Sequence, residues 1–370
     1  MSALAEVTTK STELTKNDDW EGYSSTDFGL HLVKADPVSR HRTPAMLLSA
    51  LLIAVATLGA VQFSAGTSLF SAKPFGTYLT KALPQVEPSA SAFGTSGEVL
   101  LRFAMPGEEI QYPLDVHGDP TGLHYEWIRL GETVPTGAAR ALVGADVRVP
   151  VKAGFYRLAL VRGDQTRTVE GLTLAVLVPF KEKEGTMLNG YRIGTYLAER
   201  IAGNQEPPRG FLEINEHDVD LPISKHLKVG DFLSHDNQET WPRYAAVSPR
   251  LLDKLELVIA ELTRWHGDAS PISLALDVHS GFRAPAHNSR IARAARDSQH
   301  QYGDAADVMM DANGDGKFTS LDTRMIGLAV EIVELKHPEL VGGLGLYMSG
   351  HARTTYVHID ARGTRARWRG

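Results

Sequence analysis

Three short segments in the C-terminal half of the chain carry residue types that together suit a hydrolytic metal site. They are Ser280-Gly-Phe-Arg283, Ser298-Gln-His300-Gln-Tyr-Gly303-Asp-Ala305-Ala-Asp307 and Tyr356-Val-His358-Ile-Asp360. A hydrolytic zinc ion takes about three ligands from neutral imidazole and carboxylate groups and keeps one position for water. His300, Asp307 and His358 supply that set, and Gly303 permits a tight turn between the first two. The sequence therefore predicts a zinc site at these three residues.

The order of these segments resembles the zinc D-alanyl-D-alanine carboxypeptidases and their endopeptidase relatives, which share a fold with lysostaphin-type enzymes and hedgehog signalling domains. The resemblance covers residues 188–362, and its most specific part is the Ser-x-His-x-x-Gly-x-Ala-x-Asp pattern of residues 298–307. It implies that His300, Asp307 and His358 bind zinc. It also implies that Arg283 polarises the scissile carbonyl or stabilises the oxyanion, and that Ser298 contacts substrate.

The general base is left open by the sequence. Several relatives have an acid or a histidine three residues before the last zinc histidine, and Thr355 stands at that position here. Strand alternation places Tyr356, His358 and Asp360 on one face, so we expect Tyr356 to contact substrate. Asp360 then either acts as the general base or orients a zinc ligand. The alternatives are His351 and a group that the sequence does not identify.

A second metal motif follows the zinc motif directly. Oxygen donors occupy positions one, three, five, seven and twelve of a loop with glycine at position six, which is typical of a calcium loop of the EF-hand or dockerin type. The donors are Asp311, Asn313, Asp315, the backbone carbonyl of Lys317, and Asp322. We expect Ca²⁺ here as a second cofactor beside Zn²⁺. An Asx-rich turn without a metal is the alternative.

The N-terminal part predicts a membrane anchor. Residues 44–70 carry no charge, and this length suits a single transmembrane helix. Lys34, Arg40 and Arg42 precede it, so the positive-inside rule places residues 1–43 in the cytoplasm and the rest outside. A cleaved signal peptide and a buried soluble helix are the alternatives. Residues 71–97 are rich in Pro, Ser, Ala and Gly and predict a linker.

The remaining chain predicts two domains. Residues 98–180 contain short β-branched or alternating runs between turn residues, which favours an immunoglobulin-like β-sandwich. Residues 181–370 predict an α+β zinc peptidase domain, an antiparallel sheet with helices. In it we expect helices from residue 249, over 286–296 and over 321–335, and strands over 272–278, 305–310 and 356–361.

The composition of the chain excludes several classes of function. The net charge of -6 gives no basic field for binding nucleic acid, and the absence of cysteine excludes disulfides, thiolate zinc sites and a cysteine nucleophile. We expect a zinc-dependent hydrolase of the inner membrane, with its catalytic domain in the periplasm or outside the cell. Its expected substrates are peptide bonds in peptidoglycan stem peptides or cross-links, cut as a carboxypeptidase or an endopeptidase. A non-catalytic, zinc-containing wall-binding or signalling domain is the alternative.

Overall fold

The computed structural model describes residues 82–89, 94–144, 146–201, 205–266, 276–348 and 355–370. The chain divides into two compact units, Met1–Phe75 and Gly76–Gly370, and the described residues all belong to the second unit. Among these described ranges, no helix has both the length and the apolar character needed to cross a bilayer. The predicted tail and anchor, residues 1–43 and 44–70, lie outside the described residues, so both stay predictions.

The N-terminal part of the second unit is built from short strands. They are β1 (Gln85–Pro88), β2 (Leu101–Ala104), β3 (Glu109–Gln111), β4 (Leu114–His117), β5 (His124–Arg129), β6 (Arg140–Ala141), β7 (Asp146–Arg148), β8 (Gly154–Arg162), β9 (Gln165–Thr168) and β10 (Thr173–Val176). Six of them form one sheet in the order β2-β10-β8-β5-β6, with β9 paired to β8. The other four form two-stranded ribbons, β1 with β4 and β3 with β7.

The β3–β7 ribbon packs against this sheet through aromatic side chains of β5. The indole of Trp127 donates a hydrogen bond to the carbonyl of Arg148 in β7 at 2.9 Å, and the Arg148 amide donates to the Tyr125 hydroxyl at 2.8 Å. Tyr112 meets Trp127 edge to face, with ring centroids 5.3 Å apart. The six-stranded sheet and the β3–β7 ribbon therefore form two layers, with these aromatic side chains buried between them.

The C-terminal part combines strands with three helices. The strands are β11 (Val178–Pro179), β12 (Met187–Leu188), β13 (Tyr191–Arg192), β14 (Gly210–Ile214), β15 (Arg243–Ala245), β16 (Asp277–Ser280), β17 (Ala305–Met309), β18 (Gly343–Tyr347), β19 (Tyr356–Asp360) and β20 (Ala366–Arg369). The α-helices are α1 (Pro249–His266), α2 (Pro285–Asn288) and α3 (Ser320–Lys336). Short 3₁₀ helices span Phe180–Glu182, Leu197–Glu199, Glu216–Asp218, Val229–Phe232, Gln299–Tyr302 and Pro338–Leu340. This α+β content with few helices agrees with the predicted class.

One five-stranded sheet, in the order β16-β17-β19-β18-β20, forms the centre of the C-terminal part. Its pairs are antiparallel except β18 with β20, which are parallel. Helices α1 and α3 pack on each other, and α3 also packs on β18 and β19. Buried residues of α1 recur at helical spacing, among them Leu251, Leu255 and Leu262, so burial of one apolar face holds this helix against the core.

The two parts are joined by contacts across the predicted boundary at residues 180–181. Strand β11 pairs with β14, and Lys225 forms an ion pair with Glu98 at 2.8 Å. Asp253 of α1 accepts hydrogen bonds from the amides of Thr95 and Ser96 at 2.8 and 2.7 Å. Part of the predicted linker is therefore ordered, because residues 85–88 form β1 and residues 94–97 lie against α1. Residues 90–93 lie outside the described ranges.

One predicted helix was wrong in extent. Of residues 286–296, only those up to Asn288 are helical, as the end of α2. The Asn288 side-chain amide donates to the carbonyl of Ala295 at 2.9 Å, and Arg293 adopts a left-handed φ of 64°. A side-chain hydrogen bond to the backbone competes with helix propagation and folds the segment into a loop. The predicted strand over 272–278 begins outside the described residues, and its visible part is β16.

Candidate metal centre

The central sheet places two of the predicted ligands side by side. Asp307 of β17 lies directly opposite His358 of β19, and Ser280 of β16 lies opposite Asp307 on the other side. On its far side, His358 lies opposite Gly345 of β18, which in turn faces Trp368 of β20. Directly opposed residues of neighbouring strands have adjacent side chains on one face. The register of the sheet therefore brings Asp307 and His358 together.

His300 reaches the same point from the 3₁₀ helix Gln299–Tyr302. That helix ends at Gly303, which has a left-handed φ of 70°. A Cβ atom on Gly303 would lie 2.2 Å from the carbonyl oxygen of Ala246. Only glycine fits both the conformation and the contact, so it allows the chain to turn from His300 directly into β17. The sequence-based interpretation of Gly303 as the tight turn is consistent with this geometry.

The three side chains present their donor atoms to one point. His300 Nε2 lies 3.2 Å from Asp307 Oδ1 and 3.2 Å from His358 Nδ1, and His358 Nδ1 lies 2.9 Å from Asp307 Oδ1. In a tetrahedral zinc site with bonds of about 2.0–2.1 Å, neighbouring ligand atoms lie roughly 3.3–3.4 Å apart. The distances between the three donor atoms are thus close to those of a zinc site, and the ligand types are those that zinc binds. Within the described residues, this is the group of His, Asp and Glu side chains able to hold a metal ion.

Each ligand is held from behind by a second contact. His300 Nδ1 lies 2.7 Å from the Gly281 carbonyl, and His358 Nε2 lies 3.2 Å from Asp360 Oδ2. When a metal is bound, a ring nitrogen that faces an oxygen outside the donor set carries the proton, so the nitrogen within the donor set is left as an electron-pair donor. These contacts fix Nε2 of His300 and Nδ1 of His358 as the atoms that would bind metal.

The electrostatics of the cluster favour a cation. Burial lowers the pKa of His300, which keeps its imidazole neutral as a ligand must be. Burial alone raises the pKa of Asp307, but the charges and hydrogen bonds of His300 and His358 outweigh it and hold that pKa well below its ordinary value. For His358, hydrogen bonds to Asp307 and Asp360 outweigh burial and raise the pKa. Asp307 is therefore a buried carboxylate that needs positive charge beside it.

Arg283 supplies part of that charge. Its guanidinium pairs with Asp307 Oδ2, the oxygen that does not face the histidines, and its Nε donates to Ser280 Oγ at 2.8 Å. The backbone also ties it to the site, because the Arg283 amide donates to the His300 carbonyl at 3.0 Å. The side chain remains partly accessible to solvent. Arg283 thus borders the metal site with a cation that is partly open to solvent.

Of the two candidates for the general base, the structure describes Asp360 but not His351. Asp360 is fully buried and bonds the ring nitrogen of His358 that points away from the other ligands. Its carboxylate also accepts hydrogen bonds from the Gly343 amide at 2.6 Å and from Arg362 Nε at 2.9 Å. This geometry matches the orienting role and does not support the general-base role, since Asp360 lies behind His358. His351 lies outside the described residues.

The two predicted substrate contacts occupy different places. Ser298 is buried directly before the 3₁₀ helix that carries His300, and its carbonyl accepts a hydrogen bond from the Gln301 amide at 2.9 Å. Tyr356 is half-buried, two residues before His358 on the same strand, and stacks on Tyr347 with ring centroids 4.3 Å apart. Burial raises the pKa of Tyr356 above its usual value, so its hydroxyl stays protonated. A role in substrate contact stays a prediction for both residues.

Trp368 is a site residue that the sequence reasoning missed. Its ring lies 5.1 Å from that of His358 between centroids, and its indole donates to the Tyr347 hydroxyl at 2.9 Å. It occupies the space above Gly345, where a Cβ would lie 2.4 Å from the indole. The parallel pairing of β20 with β18 brings Trp368 to the metal centre.

The predicted calcium loop is closed by its own backbone amides. Asp311 accepts hydrogen bonds from Gly314, Asp315 and Gly316, as an Asx-rich turn requires. Asp322 is fully buried and uses both oxygens twice, accepting from Ala312 and Asn313 and from the Thr319 amide and hydroxyl. It forms the capping box of α3. Asp322 therefore has no free acceptor for a cation in this arrangement, while Asp311, Asn313 and Asp315 lie at the loop surface.

Comparison with known proteins identifies the domain. Residues 233–326 match the model of a family described as Peptidase M15. The matched range contains Arg283, Ser298, His300 and Asp307, and it ends before His358, which the sheet nevertheless pairs with Asp307. A search of the curated proteins gave no match. Residues 233–326, which carry two of the three candidate metal ligands, therefore match the peptidase M15 family, in agreement with the resemblance to zinc D-alanyl-D-alanine carboxypeptidases.

Proposed function

We propose that this protein is a zinc-dependent peptidase that cuts peptide bonds in peptidoglycan stem peptides or cross-links. The observation that carries the proposal is the convergence of His300 Nε2, Asp307 Oδ1 and His358 Nδ1 within 4.8 Å of one another inside a peptidase M15 domain. Zinc in such a site supplies Lewis-acid activation of water and of the scissile carbonyl. The choice of peptidoglycan rests on the resemblance to D-alanyl-D-alanine carboxypeptidases and their endopeptidase relatives.

The chain's own residues provide the rest of the chemistry. Asp360 and the Gly281 carbonyl hold the two imidazoles in one tautomer and one orientation. Arg283 is placed to hold the carbonyl oxygen of the substrate as negative charge develops on it, since its guanidinium borders the site and is partly accessible. Its ion pair with Asp307 also fixes the guanidinium before substrate arrives, so little reorganisation is needed.

The first experiment separates a peptidase from a non-catalytic zinc domain. The purified full-length chain is assayed for bound zinc and for release of amino groups from purified wall sacculi. We expect about one zinc per chain and zinc-dependent release of amines. His358→Ala should lose both, since it removes one of three ligands. Retained zinc with no amine release from any wall preparation favours the wall-binding or signalling alternative.

The membrane anchor and the extracytoplasmic location belong to the same proposal. They are supported by the charge-free residues 44–70 and the preceding Lys34, Arg40 and Arg42. Protease added to intact spheroplasts should degrade the chain beyond residue 73 and spare the first 40 or so residues. Protection of the C-terminal part from protease would contradict this topology.

A calcium ion in the loop of residues 311–322 is the least constrained part of the proposal. The support is the spacing of Asp311, Asn313 and Asp315, with Gly316 at the sixth position, whereas Asp322 is engaged in capping α3. Calcium should raise the melting temperature of the zinc-loaded protein, and Asp315→Ala should abolish that rise while zinc stays bound. An unchanged melting temperature at millimolar calcium would leave the loop as an Asx-rich turn.

A further inference from the structure

A cavity lies beside the segment that carries His300. It has a volume of about 440 Å³ and lies beside α2 and the 3₁₀ helix of His300. We call it the arginine pocket; the lining residues used below are Arg192, Arg200, Pro285, Asn288, Arg296 and Gln301. Pro285 follows Arg283 by two residues, and Gln301 directly follows His300. The cavity is therefore lined by residues adjacent in sequence to residues of the candidate metal centre.

The charge of the arginine pocket is uncompensated. Arg192, Arg200 and Arg296 are exposed, and across the described part of the chain their guanidinium groups make no hydrogen bond or ion pair. No Asp or Glu stands among the lining residues. Arg367, by contrast, is paired with Glu331 and Glu334. Three unpaired cations around one concave surface favour an anionic ligand.

A buried amide in the same wall lacks a partner. Asn288 is 4% exposed, and its Nδ2 donates to the Ala295 carbonyl at 2.9 Å. Its Oδ1 is buried and accepts no hydrogen bond. A buried acceptor without a donor costs about 1–3 kcal/mol, so such groups are normally satisfied by a ligand, water or another side chain. Asn288 is thus an unsatisfied polar group in the wall of the cavity, beside the three cations.

The wall that carries Arg296 is fixed in place. Gln301 is buried and its Nε2 donates to the Arg296 carbonyl at 2.9 Å, while Asn288 holds Ala295. On the opposite wall, a Cβ on Gly194 would lie 2.3 Å from the Ala286 amide nitrogen, so the two walls are in close backbone contact. A cavity whose walls are held by buried amides and close packing is organised before the ligand arrives.

We infer that the arginine pocket binds a peptide carboxylate. Guanidinium groups pair with carboxylates in a bidentate manner, and the pocket presents three of them with no acidic side chain to compete. This inference rests on the proposed peptidase function, because it makes the pocket a subsite for an acidic residue of the cleaved peptide. In this arrangement the substrate peptide has its acidic residue anchored in the arginine pocket and its scissile bond at the metal centre.

The inference is tested first by binding, without catalysis. The probes are the tetrapeptide Ala-(D)Glu-Lys-(D)Ala with free carboxylates and the same peptide with every carboxylate amidated. Calorimetry uses the full-length chain freed of metal by a chelator. The double variant Arg200→Gln with Arg296→Gln should raise the Kd of the free acid about tenfold or more and leave that of the amidated peptide unchanged. Arg290→Gln is the matched control, since Arg290 lies on the same loop but not in the cavity.

Three outcomes decide the matter. Equal affinity of wild type and double variant for the free acid overturns the inference. Tighter, arginine-dependent binding of polyphosphate than of the peptide also overturns it and favours an anionic wall polymer. Loss of free-acid binding in the double variant supports it, whether or not the zinc-loaded wild type cleaves the peptide. Absence of cleavage then counts against the proposed function alone.

Discussion

Asp304 should destabilise the folded protein at neutral pH. It lies between Gly303 and β17, and burial raises the pKa of its carboxyl from an ordinary 3.8 to about 6, with the charge of Asp360 adding to the rise. A shift of about two units corresponds to roughly 3 kcal/mol as an upper bound, and partial exposure reduces this to roughly 1–3 kcal/mol. A hydrogen bond from Ser248 acts in the opposite sense and is outweighed.

The sign follows from proton linkage. The folded state holds the Asp304 proton more tightly than the unfolded state. Protonation of Asp304 therefore contributes to the free energy of unfolding in full below pH 3.8, and this contribution is lost as pH rises through about 6. Asp304→Asn keeps an oxygen for the hydroxyl of Ser248 but removes the buried charge. We therefore expect the variant to be more stable than wild type by roughly 1–3 kcal/mol at pH 8, and by little at pH 4.

Urea unfolding of the metal-free full-length protein at both pH values measures this difference. Metal-free protein is used so that zinc affinity does not enter the comparison. Asp164→Asn, in the exposed turn between β8 and β9, is the matched control and should change stability little at either pH. A variant no more stable than wild type at pH 8, or one equally stabilised at pH 4, refutes the reasoning.

Three further predictions concern the metal centre. Asp360→Asn weakens the hold on His358 and should lower zinc affinity about 10–100-fold by competition with a chelating dye, with the fold retained by circular dichroism. Arg283→Ala should reduce kcat on wall peptides about 100-fold or more with zinc still bound; near-normal turnover would make it a scaffold residue. Gly345→Ala forces a Cβ to within 2.4 Å of Trp368, and should cost about 1–3 kcal/mol in unfolding free energy, whereas an unchanged stability would show that the indole moves freely.

Much of the metal centre could be predicted from the sequence because most of its residues lie close together in the chain. His300, Gly303 and Asp307 form one continuous pattern, and His358 follows in a short buried strand whose alternation is readable. The same holds for α1, whose apolar spacing and N-terminal signal are strong. Helix α2 was overestimated because the side-chain hydrogen bond of Asn288 ends it, and propensity does not register such a bond.

Other features depend on residues that are distant in sequence. The arginine pocket combines Arg192, Arg200 and Arg296, and nothing in any one of these segments indicates that they share a cavity. Trp368 reaches His358 only through a parallel strand pair at the end of the sheet. The sequence alone does not separate two roles of Asp322, because a capping box and the last position of a calcium loop both call for an acidic residue there.

The position of His358 is set from the interior of the protein as well as from the site. Asp360 orients its ring, and the Asp360 carbonyl accepts a hydrogen bond at 2.6 Å from Lys254, a fully buried residue of α1. Burial lowers the pKa of Lys254, and its ion pair with Glu334 of α3 at 2.7 Å offsets that penalty. Removing one member of a buried ion pair leaves an uncompensated charge. Glu334→Gln should therefore disturb zinc binding through β19, although neither Lys254 nor Glu334 is among the metal ligands.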